Sequence, residues 1–260
     1  MRTSMGSNKI KAPNEKNNGF IWAIAVIVII IAVVIGFVII NDKNNSSSSR
    51  GAKDQADVTA DFTLDGSTAN FKNSEAKSDV PTVDLYDDLT CPHCADLESS
   101  TGSSLLEAVN QGKLNLNIRT MNFLDKSQSG KLDEQGPATK ALTALYAVAK
   151  SGDGKLYWNY RASLFEDQKN FYGSWGYDDF ADRAKDMGAS KGVVKDIKDA
   201  KYHKGALKMA EDNEKKLAKE GDGQVSSPRV FVNGKELKLK SSDQNTFEDW
   251  VPQAETGKVE

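Results

Sequence analysis

Residues 19–40 read GFIWAIAVIVIIIAVVIGFVII, twenty apolar residues and two glycines without a charge. Coiled as a helix, the run is about 33 Å long, against a bilayer hydrocarbon core of about 30 Å. A secretory signal core is shorter, about 7–15 residues, and ends in a small-residue cleavage site. Ile39-Ile40-Asn41-Asp42 is a poor substitute for one, and no cysteine stands nearby for lipid attachment. A buried core helix and a cleaved leader are the competing readings. Length and uniformity favour one transmembrane signal anchor over 19–40. Arg2, Lys9, Lys11 and Lys16 precede the run; Lys43, Arg50 and Lys53 follow it, diluted by Ser46–Ser49. This bias predicts a cytoplasmic tail over 1–18, a flexible linker over 41–57 and an extracytoplasmic remainder in the cell membrane.

Composition narrows what the remainder does. The 260 residues carry 34 Lys plus Arg and 37 Asp plus Glu, a net charge of −3, which excludes a strongly basic nucleic-acid binder. Two cysteines exclude a disulfide-stapled scaffold, and two histidines exclude a His-rich metal site. From about residue 58 the pattern is globular. Phe62–Leu64 and Ala69–Phe71 flank Asp65-Gly66 as a hairpin, and residues 81–86 (PTVDLY) read as a strand. A helix from Pro92 to about Asn110 and an alternating strand over 114–123 follow. Residues 136–220 are mostly helical. Strands at 229–232 and 236–239 flank Asn233-Gly234, a strong hairpin signal, and a helix over about 245–254 closes the chain. The order predicts an α/β mixed sheet interrupted by an inserted helical subdomain.

Both cysteines lie in one C-x-x-C, Cys91-Pro92-His93-Cys94, at a strand-to-helix junction. Residues i and i+3 of a helix share a face, so the two thiols are within reach of a disulfide. Free N–H groups and the positive helix end favour an anion at Cys91 and lower its pKa. Pro92 fits the first helical position, where its missing N–H costs nothing. His93 adds ring N–H donation or positive charge beside the sulfur. Stabilising the thiolate stabilises the reduced pair and makes the disulfide oxidising. Asp87 and Asp88, just upstream, act in the opposite sense. Zinc needs about four ligands, and only His93 and His203 are on offer. A structural disulfide across two residues closes almost no chain entropy. Inert buried thiols are a third alternative, set beside proline and histidine here. Redox chemistry is the reading favoured over all three. His203 and the Lys215–Lys219 run read as solvated surface. Tyr157, Trp158, Tyr160, Phe165, Phe171, Tyr172, Trp175 and Tyr177 read as the core of the helical subdomain.

The Cys-Pro-His-Cys quartet resembles that of the DsbA family. The resemblance extends to Ser226–Lys235 (SSPRVFVNGK), similar to the family's segment around a cis-proline, with Pro228 opening a strand before Asn-Gly-Lys. Together with the element order, it covers about residues 60–254, and the anchor is similar to that of the family's membrane-anchored members. The resemblance implies a thioredoxin fold with an inserted helical subdomain, preceded by one transmembrane helix. Its first part would span 58–128, the helical insertion 129–204 and the second part 205–260. It further implies that Cys91 is the attacking and attacked sulfur, that Cys94 resolves the mixed disulfide, and that His93 stabilises the Cys91 thiolate. Pro228 would be cis, and Ser227 would pair with an extended substrate chain.

Two departures stand out: relatives often place a β-branched residue where Ser227 stands, and several carry a buried acid where Leu85 stands. Asp84, Asp87 or water then remain for proton handling. The expected activity is that of an extracytoplasmic protein dithiol oxidase introducing disulfides into newly secreted proteins. It would act as a monomer on unfolded substrates with free thiols, without metal, organic cofactor or nucleic acid, and be reoxidised by a membrane partner of VKOR or DsbB type. A reductase or isomerase on the same fold, or a non-enzymatic tethered holdase, are the alternatives.

Overall fold

The computed structural model describes residues 55–243 and 245–259. The predicted tail, anchor and most of the linker lie outside them. Among the described residues no helix is long and apolar enough to cross a membrane.

A six-stranded sheet in the order β1-β2-β4-β3-β5-β6 forms the frame. Its strands are β1 (Asp61–Asp65), β2 (Thr68–Lys72), β3 (Thr82–Asp88), β4 (Asn115–Met121), β5 (Arg229–Val232) and β6 (Lys235–Leu237). β3 and β4 are parallel, with Leu85 opposite Ile118 and Asp87 opposite Thr120. A parallel pair needs a crossover, and α1 (Pro92–Asn110) supplies it. β5 runs antiparallel to β3, Leu85 opposite Val230 and Tyr86 opposite Arg229, so residues 227 and 228 fall beside the end of β3. Asn233 and Gly234 turn the β5–β6 hairpin with φ of 51° and 77°, as a two-residue turn with both φ positive requires.

Alternation along β3 decides what lies on each face. Val83 and Leu85 join the main core with Leu97, Leu105 and Val109 of α1. Tyr86 turns the other way, against Phe231 and Leu217 of α7 (His203–Glu220). Asp84 shares that second face, where its carboxylate pairs with Arg119 and takes a 3.0 Å bond from Asn117.

Between β4 and α7 run α2 (Pro137–Ala149), α3 (Gly154–Glu166), α4 (Gln168–Phe171), α5 (Tyr177–Asp186) and α6 (Lys191–Lys198). Tyr157, Trp158, Tyr160, Phe165 and Phe171 are buried in one core, with Trp175 packed against it, and that core is shared with the sheet; within it the ring contacts fall into two sets. Tyr157 and Trp158 pack on Phe62 and Phe71 of the first hairpin, at centroid distances of 5.0 to 5.9 Å. Phe171, Trp175 and Phe180 form a second group, and Tyr172 is exposed. His203 is not simply solvated: its ring lies 3.2 Å from the Thr143 hydroxyl and 3.3 Å from Glu134.

The expected helix over 245–254 is also corrected. A small hairpin, β7 (Ser241–Asp243) and β8 (Thr246–Phe247), takes its first half, turned where Asn245 N–H donates to the Asp243 side chain. Only α8 (Val251–Glu255) is helical, anchored by Trp250 Nε1 donating to Thr101 Oγ1 at 3.1 Å.

Candidate active site

The site starts where β3 runs out. Asp88 is fully buried and its carboxylate accepts from Thr90 N–H (2.9 Å), Thr90 Oγ1 (2.7 Å) and Leu124 N–H (3.2 Å), while its carbonyl accepts from Cys91 N–H (2.9 Å). These bonds shape the turn that delivers Cys91 to the start of α1. Burial raises the Asp88 carboxyl to about 7, against the pull of its donors. Gln168, reaching in from α4, donates to the carbonyls of Leu89 (2.9 Å) and Cys91 (3.0 Å) and clamps the same turn from the insertion side.

Cys91 caps α1 with extended backbone angles, φ −78° and ψ 117°, and Pro92 follows in the first turn. Its carbonyl accepts from Cys94 N–H and Ala95 N–H. The thiol Sγ lies 3.4 Å from the Ser227 carbonyl, the residue whose peptide bond to Pro228 is cis. As an anion the sulfur gains first the Cys94 thiol as donor, then the Ser227 hydroxyl and the backbone N–H groups of Cys94 and His93. These outweigh burial and bring the Cys91 thiol down to about 6. The Ser227 hydroxyl is buried and unpartnered in the thiol form, so it is free to turn to the thiolate.

Cys94 behaves in the opposite way. Burial first, then the neighbouring Cys91 sulfur and the charge of Asp87, push its thiol well above the ordinary range. Both cysteines have free, buried thiols here.

Cys91, Cys94, Ser227 and Pro228 are thus brought together, with Pro92 at the helix start. His93 sits differently from the sequence expectation. Its ring is exposed and lies 3.5 Å from Asp96 Oδ2, and what it supplies to the Cys91 sulfur is a backbone N–H. Any residue at position 93 except proline brings that N–H. The two upstream acids, expected to burden Cys91, are occupied: Asp88 by the turn, and Asp87 by Arg161, which donates to Asp87 Oδ2 from Nε (2.9 Å) and Nη2 (2.6 Å). The third guanidinium nitrogen donates to Glu98 Oε2 at 2.5 Å.

Arg161, Glu98, Gln168 and Trp250 escaped the sequence reading. For Arg161 a signal existed: it is the lone charge in the run Leu156–Phe165, a helix otherwise suited to burial on all sides. Such a residue needs a buried partner, though nothing nearby in sequence identifies it.

Comparison with known proteins agrees with this geometry. The thioredoxin family model described as Thioredoxin matches residues 73–252. The structure resembles the MdbA protein, a thiol-disulfide oxidoreductase from Corynebacterium diphtheriae, with 44% identity over 72% of this chain and 92% of that one and a TM-score of 0.68. Reduced DsbA from Mycobacterium tuberculosis shares the fold at 21% identity, over 68% of this chain and 87% of that one, with a TM-score of 0.52. A 121-residue stretch is 29% identical to the serine/threonine-protein kinase PknE of Mycobacterium tuberculosis; it is 45% of this chain and spans only 21% of that kinase. The paired cysteines at a helix start, the cis-proline beside them and these matches lead to one conclusion: the chain belongs to the thioredoxin family, among its thiol–disulfide oxidoreductases of the MdbA and DsbA type.

Proposed function

We propose that this chain is a membrane-tethered dithiol oxidase that introduces disulfides into newly secreted proteins. The observation that carries the reading is the inequality of the two sulfurs. Cys91 is held near 6 and Cys94 well above the ordinary thiol, so at neutral pH the reduced pair is one thiolate and one thiol. Stabilising the reduced pair makes the oxidised pair a strong acceptor of electrons.

In the cycle, a thiolate of an unfolded secreted chain attacks Cys91 in the oxidised enzyme. The Cys91–Cys94 bond breaks, and Cys94 leaves and takes a proton. A second substrate thiolate then attacks the substrate sulfur of the mixed disulfide and expels Cys91, the better leaving group because its thiolate is the more stable. The substrate has lost two electrons and the enzyme pair has gained them. Ser227 and Pro228 lie beside the attacked sulfur, where an extended substrate segment passes. His93 stabilises the thiolate through its backbone N–H. A membrane reoxidase of VKOR or DsbB type returns the pair to the disulfide, and the enzyme works as a monomer without a cofactor of its own.

The uncharged run 19–40, with lysine and arginine weighted before it, supports a single-pass anchor with the N-terminus in the cytoplasm and the catalytic part outside. Refolding of reduced, denatured ribonuclease in a glutathione redox buffer tests the activity. The full-length protein accelerates the return of ribonuclease activity and Cys91→Ala does not; equal rates for the two would point instead to a holdase. Digestion by an external protease in intact cells tests the topology, since protection of residues 55–260 would place them on the wrong side.

A further inference from the structure

Position 85, where the family resemblance implies an acid in several members, is a leucine buried in the core here, so the proton that Cys94 exchanges needs another route. Cys94 is 2% exposed, one turn inside α1. Beside it is a cavity of about 10 Å³, lined among others by Cys94, Asp87, Glu98, Arg161, Pro228 and Trp250. That is room for one water molecule at most, and a buried water is held by two to four polar groups, a requirement this lining meets.

Asp87 is 1% exposed, and its two oxygens are unequal. Oδ2 takes both N–H groups of the Arg161 fork, whereas Oδ1 is buried without a hydrogen-bond partner. A buried carboxylate oxygen with no donor is costly unless something uses it. The other groups on this side are committed or neutral. Glu98 is held by Arg161, and burial keeps the Tyr157 hydroxyl protonated. Asp84 is on the opposite face of β3 with Arg119, which removes it from consideration.

We propose that Asp87 Oδ1 accepts and returns the Cys94 proton through a single water in this cavity. When Cys94 resolves a mixed disulfide on Cys91, its S–H proton passes to the water as a water proton passes to Asp87. The Cys94 thiolate attacks Cys91 Sγ, the Cys91–Cys94 bond forms, and the partner leaves as a thiolate. In the opposite direction the departing Cys94 takes the proton back. Arg161 acts as a positioning residue: its two N–H groups occupy Oδ2 and leave Oδ1 as the oxygen open to a water donor.

The inference rests on Cys91 being the exchanging sulfur, and the test separates the two. Reduced full-length protein is mixed with excess glutathione disulfide, acid-quenched at intervals and weighed by mass spectrometry. The bimolecular step gives the Cys91–glutathione adduct; the unimolecular step is its loss to the internal disulfide. In Asp87→Asn we expect the first step within about twofold of wild type and the second slowed at least about tenfold at pH 7, the low end for loss of a proton acceptor. The slowed step should also become proportional to hydroxide concentration. An unchanged second step, or two steps slowed equally, overturns the relay; no adduct on Cys91 in the wild type overturns the parent reading instead. Should Asp87→Asn fold poorly because the Arg161 fork loses its charged partner, Asp87→Asn with Arg161→Gln and Glu98→Gln provides an uncharged trio with the same expected slowing. In the wild type, the second step should carry a solvent deuterium effect with a bowed proton inventory, reporting two protons in flight; an effect of one would be equally fatal.

Discussion

Lowering the pH should switch off the driving force for reduction of the Cys91–Cys94 pair, and the size of the effect follows from one sulfur. The Cys91 thiol falls from 9.0 to about 6 in the fold. A lowered acid stabilises its ionised form, so the contribution is full above the ordinary thiol value and is lost as pH falls through about 6. Three decades correspond to about 4 kcal/mol, or about 90 mV for a two-electron couple. At pH 7 about nine-tenths of Cys91 is thiolate, and about 1.4 kcal/mol of the stabilisation is realised. The assay is equilibration of the full-length protein with reduced and oxidised glutathione at pH 5, 6, 7 and 8, quenched with acid and read by thiol alkylation. Glutathione stays mostly protonated over that range. The constant for reducing the protein should rise less than about twofold from pH 5 to 6 and about five- to ninefold per pH unit above it, about 50- to 100-fold in all from pH 5 to 8. Carboxylates such as Asp88 titrate in both redox forms and cancel to first order. A constant that is level from pH 5 to 8, or that begins to climb only above pH 8, would refute the assignment of a stabilised thiolate to Cys91.

Three further outcomes are expected. Asp88→Asn keeps acceptors for Thr90 but turns an amide N–H₂ toward Leu124 N–H, so urea unfolding should show a loss of about 1–3 kcal/mol and slower reaction at Cys91. Arg161→Met leaves Asp87 and Glu98 buried without their cation and should cost about 3–5 kcal/mol, while the triple change with Asp87→Leu and Glu98→Leu should recover most of it. Trp250→Phe removes the bond to Thr101 and should lower stability by about 1 kcal/mol without changing the apparent Cys91 pKa, read by thiolate absorbance.

Which features the sequence disclosed follows from how local their causes are. The alternation of Leu114, Leu116 and Ile118 against Asn115, Asn117 and Arg119 anticipates β4 within two residues at either end, since a half-buried strand writes its own period. Proline after Cys91 marks the start of α1, and Asn233-Gly234 marks a hairpin, because each residue acts on its own backbone. The β7–β8 hairpin was hidden because Phe247, Trp250, Val251 and Ala254 have helical spacing, while the turn depends on the Asp243 side chain and the anchor on Thr101, far back in α1. The partners of Arg161 were hidden for the same reason: Asp87 is 74 residues away and Glu98 63. The direction taken by the His93 ring likewise depends on Asp96, one turn onward, which competes for it.

The sulfur of Cys91 and the carbonyl of Ser227 meet across 136 residues of chain. A ribosome that has released Cys91 has therefore not yet supplied the strand beside it. A polypeptide cut short before β5 has the motif but not the cradle, and its first cysteine is an ordinary thiol with respect to that neighbour. The redox centre comes into being late, when the last quarter of the molecule closes over its first half.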